Sequence, residues 1–595
     1  MSRFEIIYQD GLYTRKKLSK DKPLTPWLLE NSEEGFKMPE LVFQHIKLLD
    51  KKVLNLTTSE FLSDMPEFSI LSPLLKPSDR FEKSEKYELD TFLDRLDMVH
   101  LPQNFALVYD DNYGEDYLSQ LLHYNPIVIV LQGYLKYPPK QFAQQLIRVR
   151  NLVPLNVGLY LAGDIPVGLI DLVFACGVDI IDDSSVYMAA FMHKSFEDGF
   201  VRYIRSNRRE LVETNLRELH RDFRGAKNSD DIYGRMIRSA HASPNSATFV
   251  RYFFQQSGKI SGVNLYERRK LRFIGDDALM HPVVQAYQKR MLETYEFPKT
   301  AQLLVLLPCS AKKPYSESRS HRFFNKILQK AYGKGRGNVV VWSLTSPLGA
   351  VPRELENIFP AANYDIAVSG DWSQKESQLT GHFLKDLLAY VPENVGIVSH
   401  LSEGYSDMFE IGIEGREYVS WIGNRPTSHE AGNTLFSNLK KFEVRNDVSV
   451  KMIERMRKIR SITRWQFGKE FEIDLSSLKF KGYAPKPIQA TKNGKHWFSW
   501  DSLRGVVKYS TDALKSSNYK TNKKATVEGD IAKSSTIFRP GLLSINSEIS
   551  PGDEVLLFNE RDEFIGIGTA LLSGTSAEKL SYGAVLKIRK KVRRN

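Results

Sequence analysis

Four short stretches decide how this chain folds: LLVLLPCS (303–310), NVVVWSLTSPLG (338–349), YDIAVSGDW (364–372) and NVGIVSHLSEGY (394–405). Each is an apolar run that breaks off into small and polar residues. Buried parallel strands read as continuous apolar runs, and ligands of open α/β sheets sit beyond the carboxyl ends of the strands. Amphipathic stretches separate the runs, among them SHRFFNKILQKAYG (320–333) and LTGHFLKDLLAYV (379–391). The pattern predicts a doubly wound α/β core domain over residues 299–447. Its strand ends are expected to gather Cys309, Ser310, Ser346, Pro347, Ser369, Gly370, Asp371, His400 and Glu403 around one crevice.

Upstream, FALVYD (105–110), PIVIVLQG (126–133), VGLYLAG (157–163) and VDIIDDSS (178–185) read as strands. PPKQFAQQLIRVRNLV (138–153) and IPVGLIDLVFACG (165–177) read as helices between them. This alternation argues for parallel β/α units, as a barrel or an open sheet. Residues 194–300 are mostly helical and charged, with a break at HASPNSA (241–247). After residue 447 a basic helix, KMIERMRKIRSITRWQFG (451–468), leads into closely spaced short strands with Gly, Pro and Asn turns, the pattern of small β-barrel modules.

The 595 residues, 42% of them apolar, suffice for several cores. No run of about 18 uncharged apolar residues suggests a membrane span, and the N-terminus lacks a signal-peptide core. Two cysteines, Cys176 and Cys309, cannot form a disulfide framework or a cysteine-rich zinc site, so a reducing, cytoplasmic setting is expected. The net charge of +12 is segregated. Residues 451–595 hold 28 Lys+Arg against 15 Asp+Glu, leaving 55 against 56 elsewhere. A polyanion-binding tail on a neutral body is the physical reading, because basic side chains release counterions from phosphates. Arg539, Arg589, Lys590, Lys591, Arg593 and Arg594 are the expected phosphate contacts, the last five on a final strand with a basic face.

Three resemblances add to this reading. RPGLLSINSEISPGDEVLLFN (539–559), followed by FIGIGTALLS (564–573), resembles a PUA domain, a pseudo-barrel of RNA-modifying enzymes. HWFSWDSLRGVVKYSTDALKSS (496–517) resembles the small α+β domain that precedes PUA in archaeal tRNA-guanine transglycosylases. YLAGDIPVGLIDLVFACGVDIIDDSSVY (160–187) resembles the late barrel region of those transglycosylases, with Asp182 at the position of their nucleophilic aspartate. The three cysteines and histidine of the family's zinc site are missing, as is its Asp-Ser-Gly-Gly segment, which argues against base exchange. The most specific match is PCSAKKPYSESRSH (308–321), with SPLGAVPREL (346–355) and YDIAVSGDW in order and spacing; these resemble the archaeosine synthases. The expected architecture is multidomain α/β plus β. A degenerate transglycosylase-like (β/α) barrel spans 1–298, the core domain 299–447, a pre-PUA domain 448–518 and a PUA pseudo-barrel 519–595.

The resemblance implies a substrate: tRNA carrying 7-cyano-7-deazaguanine (preQ0) at position 15. An amine, that of free lysine, would add to its nitrile, and a partner radical-SAM lyase would then remove the lysine carbon skeleton. No metal or other cofactor is implied for the chain itself. Direct use of glutamine or ammonia, base exchange, and a non-catalytic tRNA-binding subunit are the alternatives. A nitrile carbon is a weak electrophile that a thiolate can activate, which makes Cys309 the candidate nucleophile, with Lys312 and Lys313 to favour its thiolate. An incoming lysine, whose amine has a reference pKa near 10.4, needs a base; His321, Asp371 and Glu403 are the candidates. Ser310, Ser316, Ser346 and Gly370 are expected to bind substrate, and Arg353 to grip the lysine carboxylate, unless it pairs with Glu354 or Glu356.

Overall fold

The computed structural model describes residues 4–17, 24–32, 35–38, 41–42, 68–71, 93–94, 96–97, 104–197, 200–241, 244–256, 260–367, 371–445, 450–482, 487–529 and 534–592. They fall into two compact units. One comprises Met1–Gly262, Phe538–Pro540 and Ser576–Ala584; the other comprises Val263–Ile537, Gly541–Thr575 and Val585–Asn595. No helix among the described residues is long and apolar enough to cross a membrane.

The first unit is built on an eight-stranded sheet. Phe68–Leu71, Asn104–Asp110, Val128–Gln132, Gly158–Leu161 and Ile180–Asp182 lie side by side in chain order, all parallel. Ile180–Asp182 pairs in turn with Trp27–Ser32, also parallel. The expected β/α alternation is therefore present, with helices Pro139–Leu152 and Ile170–Ala175 where the sequence placed them. Among the described residues the ladder is an open sheet whose ends are Phe68–Leu71 and Leu41–Val42. Its floor is ionic as well as apolar. Lys16 and Arg150, both fully buried, point at Asp179, with Lys16 Nζ 2.5 Å and Arg150 Nη1 3.4 Å from Oδ2. Burial drives the Lys16 ammonium down to about 7 against the pull of Asp179.

The second unit holds the core domain. Leu303–Pro308 pairs in parallel with Val339–Thr345 on one side and Gly396–Leu401 on the other, and Gly396–Leu401 pairs in parallel with Val419–Ile422. An antiparallel strand, Gly349–Pro352, closes the far edge. The chain thus leaves Leu303–Pro308 in one direction, through helix Arg319–Tyr332, and returns on its other flank through helix Gln374–Leu388. Right-handed crossovers in opposite directions put their helices on opposite faces, which is the doubly wound arrangement. Leu303, Val305 and Leu307 face Phe324, Leu328 and Leu435, all buried in one apolar cluster. At about 1.5–3 kcal/mol per fully buried aliphatic side chain, this central strand anchors the domain. Helix Gln374–Leu388 meets helix Ser406–Ile413 through Gly381, where a Cβ would lie 2.8 Å from Cβ of Ile411.

One predicted strand is displaced. Among its described residues YDIAVSGDW contributes only Tyr364–Asp365, which pairs with Leu271–Arg272 outside the main sheet. Tyr364 is buried but Asp365 is exposed, so this run lacks the two covered faces of a central strand. The fourth parallel strand is Val419–Ile422, whose half-buried edge position left no continuous apolar run to read.

Beyond helix Val450–Phe467, a four-stranded antiparallel sheet spans Lys479–Tyr509. A six-stranded mixed sheet then runs in the order Thr536–Phe538, Ala584–Lys591, Phe564–Ala570, Glu554–Phe558, Lys524–Val527, Leu542–Ile545. Asp553, fully buried, fixes this module to helix Pro282–Thr294. Its Oδ1 accepts from Arg290 Nη2 at 2.6 Å, and its Oδ2 lies 2.8 Å from Lys523 Nζ.

Candidate functional site

In a sheet of this order the topological switch lies between Leu303–Pro308 and Gly396–Leu401, because the connections diverge there. Cys309 is the first residue past the carboxyl end of one strand. Tyr405 closes the short turn after the other, just before helix Ser406–Ile413. The two meet. The Cys309 backbone N–H donates to the Tyr405 hydroxyl at 3.1 Å, and that hydroxyl donates to Cys309 Sγ at 3.2 Å. Tyr405 is buried, whereas Cys309 is partly open. Trp372 packs on the Tyr405 ring with centroids 4.8 Å apart. Burial, then the nearby thiol, holds the Tyr405 phenol well above its usual range.

The 308–321 turn wraps this pair. Lys313 Nζ is buried without a hydrogen-bond partner and sits 4.0 Å from the centroid of the Tyr364 ring. Burial lowers its pKa; Cys309 and Asp365 push it back, and Lys270 adds to the fall. An amine in this position exchanges a proton more readily than a solvated lysine. Tyr315 and Thr345 both bond the Tyr364 hydroxyl, at 2.5 and 2.6 Å, which ties the turn to the carboxyl end of Val339–Thr345. Ser346, next in line, donates to Glu376 Oε1 at 2.6 Å, and Glu376 itself completes the capping box of helix Gln374–Leu388. Ser310 donates to the Lys312 carbonyl at 3.0 Å, and exposed Lys312 lies 3.7 Å from Glu317.

Several expected roles do not fit the positions observed. His321 is fully buried on the first turn of its helix. Its Nε2 bonds the Pro308 carbonyl at 2.9 Å, and its Nδ1 receives Arg353 Nη2 at 2.8 Å. Burial, reinforced by Arg353, brings the imidazole down to about 3. With both nitrogens engaged it has no lone pair for an incoming amine. It holds the carbonyl that precedes Cys309. Arg353 is likewise committed, to His321, to Asn325 Oδ1 at 3.5 Å and to Glu356 at 3.7 Å, and so is not open to a substrate carboxylate. Glu356 also accepts from the Ser316 N–H at 2.8 Å. Asp371 and Glu403 are exposed at the rim, and Gly370 lies outside the described residues. His400 stacks on Trp421 and bonds the Pro426 carbonyl, as a core residue.

Asp182 belongs to the other unit. Its buried carboxylate accepts from Tyr160 at 2.8 Å and from the N–H groups of Gly163 and Ser184 at 2.9 and 2.8 Å. Those bonds fill it as a strand-end anchor. In the tail, Arg589, expected as a phosphate contact, is instead engaged internally. Its Nε lies 2.5 Å from Glu554 and its Nη2 donates to the Tyr509 carbonyl at 3.1 Å. A register shift explains this: Ile567 pairs with Lys590 and Gly568 with Ile588, so Arg589 is skipped and the alternation of the final strand breaks. Lys590 is exposed, Lys591 and Arg539 are half-buried, and Arg593 and Arg594 lie outside the described residues.

Tyr405, Tyr364, Tyr315 and Trp372 went unnoticed as site residues, although all four stand in the quoted stretches. The available signal was aromatic rings set among the polar residues of those stretches: Tyr315 after Lys-Lys-Pro, Trp372 after Ser-Gly-Asp and Tyr405 after Ser-Glu-Gly.

Two family models match: a domain of unknown function (DUF5591) over residues 284–439, which contains this site, and the PUA domain over residues 523–592. The archaeosine synthase of Methanocaldococcus jannaschii is 31% identical over 584 residues, covering 91% of this chain and 95% of that protein. The chain belongs to the archaeosine synthase family. The archaeosine synthase subunit alpha of Thermococcus kodakarensis is also 31% identical, over 55% of this chain and 57% of its own length. A tRNA-guanine(15) transglycosylase of Methanobrevibacter smithii is 21% identical over 49% of this chain and 41% of its own. Among solved structures, a protein of unknown function superimposes with a TM-score of 0.39 at 25% identity, covering 52% of this chain and 99% of that one.

Proposed function

We propose that this chain modifies tRNA in archaeosine biosynthesis, joining the side-chain amine of free lysine to the nitrile of preQ0 at position 15. The observation that carries the reading is Cys309 at the topological switch point, hydrogen-bonded to Tyr405 and flanked by the buried amine of Lys313. Membership of the archaeosine synthases supports the substrate. The Cys309 thiolate adds to the nitrile carbon, and the nitrogen takes a proton, giving a thioimidate. The neutral amine then attacks the same carbon, the C–S bond breaks, and an amidine and the free thiol result. Atoms balance without redox change, so the addition itself calls for no cofactor. Lys313, whose ammonium form is favoured by the nearby Cys309 thiolate, holds the thiol proton in the interval. Release of the lysine skeleton to leave archaeosine falls to a separate radical-SAM lyase. Lys590 and Arg539 hold the tRNA by its phosphates rather than reading its bases.

The test incubates the purified chain with preQ0-tRNA and, separately, lysine, glutamine or ammonium, followed by mass spectrometry of the nucleosides. A lysine adduct with wild type and none with Cys309→Ala is expected. Amidine formed from glutamine or ammonium, guanine release, or no product at all overturns the reading. A Cys309→Ser variant with unchanged turnover removes the covalent step.

A further inference from the structure

Resting on the reading above, we infer that Tyr405 is a second catalytic residue, delivering through its phenolic O–H the proton that the nitrile nitrogen takes as the Cys309 C–S bond forms. Three features of the site converge on this assignment.

The first is directional. The Tyr405 hydroxyl already donates toward Cys309 Sγ at 3.2 Å, so its proton is aimed at the atom that attacks. When sulfur bonds the nitrile carbon, the nitrogen lies one bond further on, within reach of the same donor. The second is polarisation. The hydroxyl accepts from the Cys309 N–H at 3.1 Å while donating to sulfur, and a hydroxyl that accepts one bond donates a stronger second. The third is rigidity. The ring is buried and Trp372 packs against it at 4.8 Å, so the donor needs no reorganisation when charge develops on nitrogen. Other polar groups around Cys309 are differently engaged. Ser310 is turned to a backbone carbonyl, His321 has both nitrogens bonded, and Tyr315, Tyr364 and Thr345 bond one another.

The proton count closes. The thiol proton passes to Lys313, leaving a thiolate. Sulfur adds to carbon, one π pair of the nitrile moves to nitrogen, and nitrogen takes the Tyr405 proton. The phenolate is reprotonated by the Lys313 ammonium, so the net change is S–H plus nitrile to thioimidate. A buried phenolate is costly, which couples departure of the Tyr405 proton to the arrival of the nitrogen anion, a far stronger base.

The experiment compares wild type, Tyr405→Phe and Cys309→Ala, all full-length, with preQ0-tRNA. Without a lysine donor, covalent protein–tRNA adduct is read on a denaturing gel; with lysine, kcat and KM are read separately. Tyr405→Phe is expected to bind tRNA within twofold of wild type and to keep Cys309 open to iodoacetamide. It is also expected to form no adduct and to lose about 10²- to 10³-fold in kcat, the usual cost of one preorganised donor. Adduct and turnover within threefold of wild type overturn the inference. Absence of product with wild type itself removes the underlying reaction and the inference with it, and is read before any variant. Should Tyr405→Phe fail to fold, 3,5-difluorotyrosine at position 405 keeps the shape and acidifies the phenol. An alkaline fall in kcat then enters the accessible range, and an unchanged pH profile overturns the role of Tyr405.

Discussion

Arg353 Nη2 stands 2.8 Å from Nδ1 of His321, so a guanidinium and an imidazole share one hydrogen bond in a buried space. Two cations could not be held there, and the imidazole is therefore neutral, its Nε2–H donating to the Pro308 carbonyl. The pair sets the backbone that leads into Cys309.

The stability of the core domain should consequently depend on pH. His321 has its folded pKa depressed to about 3 from the usual 6.5 of a free imidazole, first by burial and then by Arg353. Its contribution is fully present above about 6.5 and is lost as pH falls toward 3. Denaturant melts from pH 7 to 4 should show falling stability in wild type and a flatter slope in His321→Asn. His321→Ala leaves one Arg353 N–H and the Pro308 carbonyl without the imidazole, at about 1–3 kcal/mol each, read in the same melts.

The two cysteines should differ sharply toward alkylation. Cys309 is partly open, while Cys176 is fully buried and burial pushes its thiol far above the usual range. Intact-mass measurement after iodoacetamide should show one adduct on the native chain, mapped to Cys309, and two after unfolding.

Asp553 should be among the costlier single carboxylates to remove. Burial would raise its pKa, but Arg290 and Lys523 outweigh it and hold the group down to about 2. That stabilisation is present above about 3.8 and disappears as pH falls toward 2. Asp553→Asn leaves two buried cations uncompensated and should cost about 3–5 kcal/mol by denaturant unfolding at pH 7.

For tRNA binding, Lys590→Ala should reduce the slope of log K against log salt by about one, as loss of a single phosphate contact does. Arg589→Ala should leave the slope nearly unchanged and lower thermal stability instead, since Arg589 is paired with Glu554. Filter binding across a salt series, run beside thermal melts, separates the two.

The sequence by itself determined most of the strand grammar of both α/β regions, the YDIAVSGDW run and the edge strand Val419–Ile422 excepted, together with the Cys309 turn, the basic tail and the family. These are properties of composition and short spacing: LLVLLP can bury itself in only a few ways, and a fourteen-residue motif carries its own register. It did not determine who meets whom. Tyr405 lies 96 residues beyond Cys309, and only the opposite winding of two crossovers brings their strand ends together. His321 and Arg353 looked available because each is polar and near a motif; the tertiary structure spends both on each other. Arg589 reads as one more basic residue until a bulge turns it toward Glu554. Local propensity fixes the backbone of an element. Whether a polar side chain is free for chemistry depends on partners far along the chain, and burial forces such groups to find those partners.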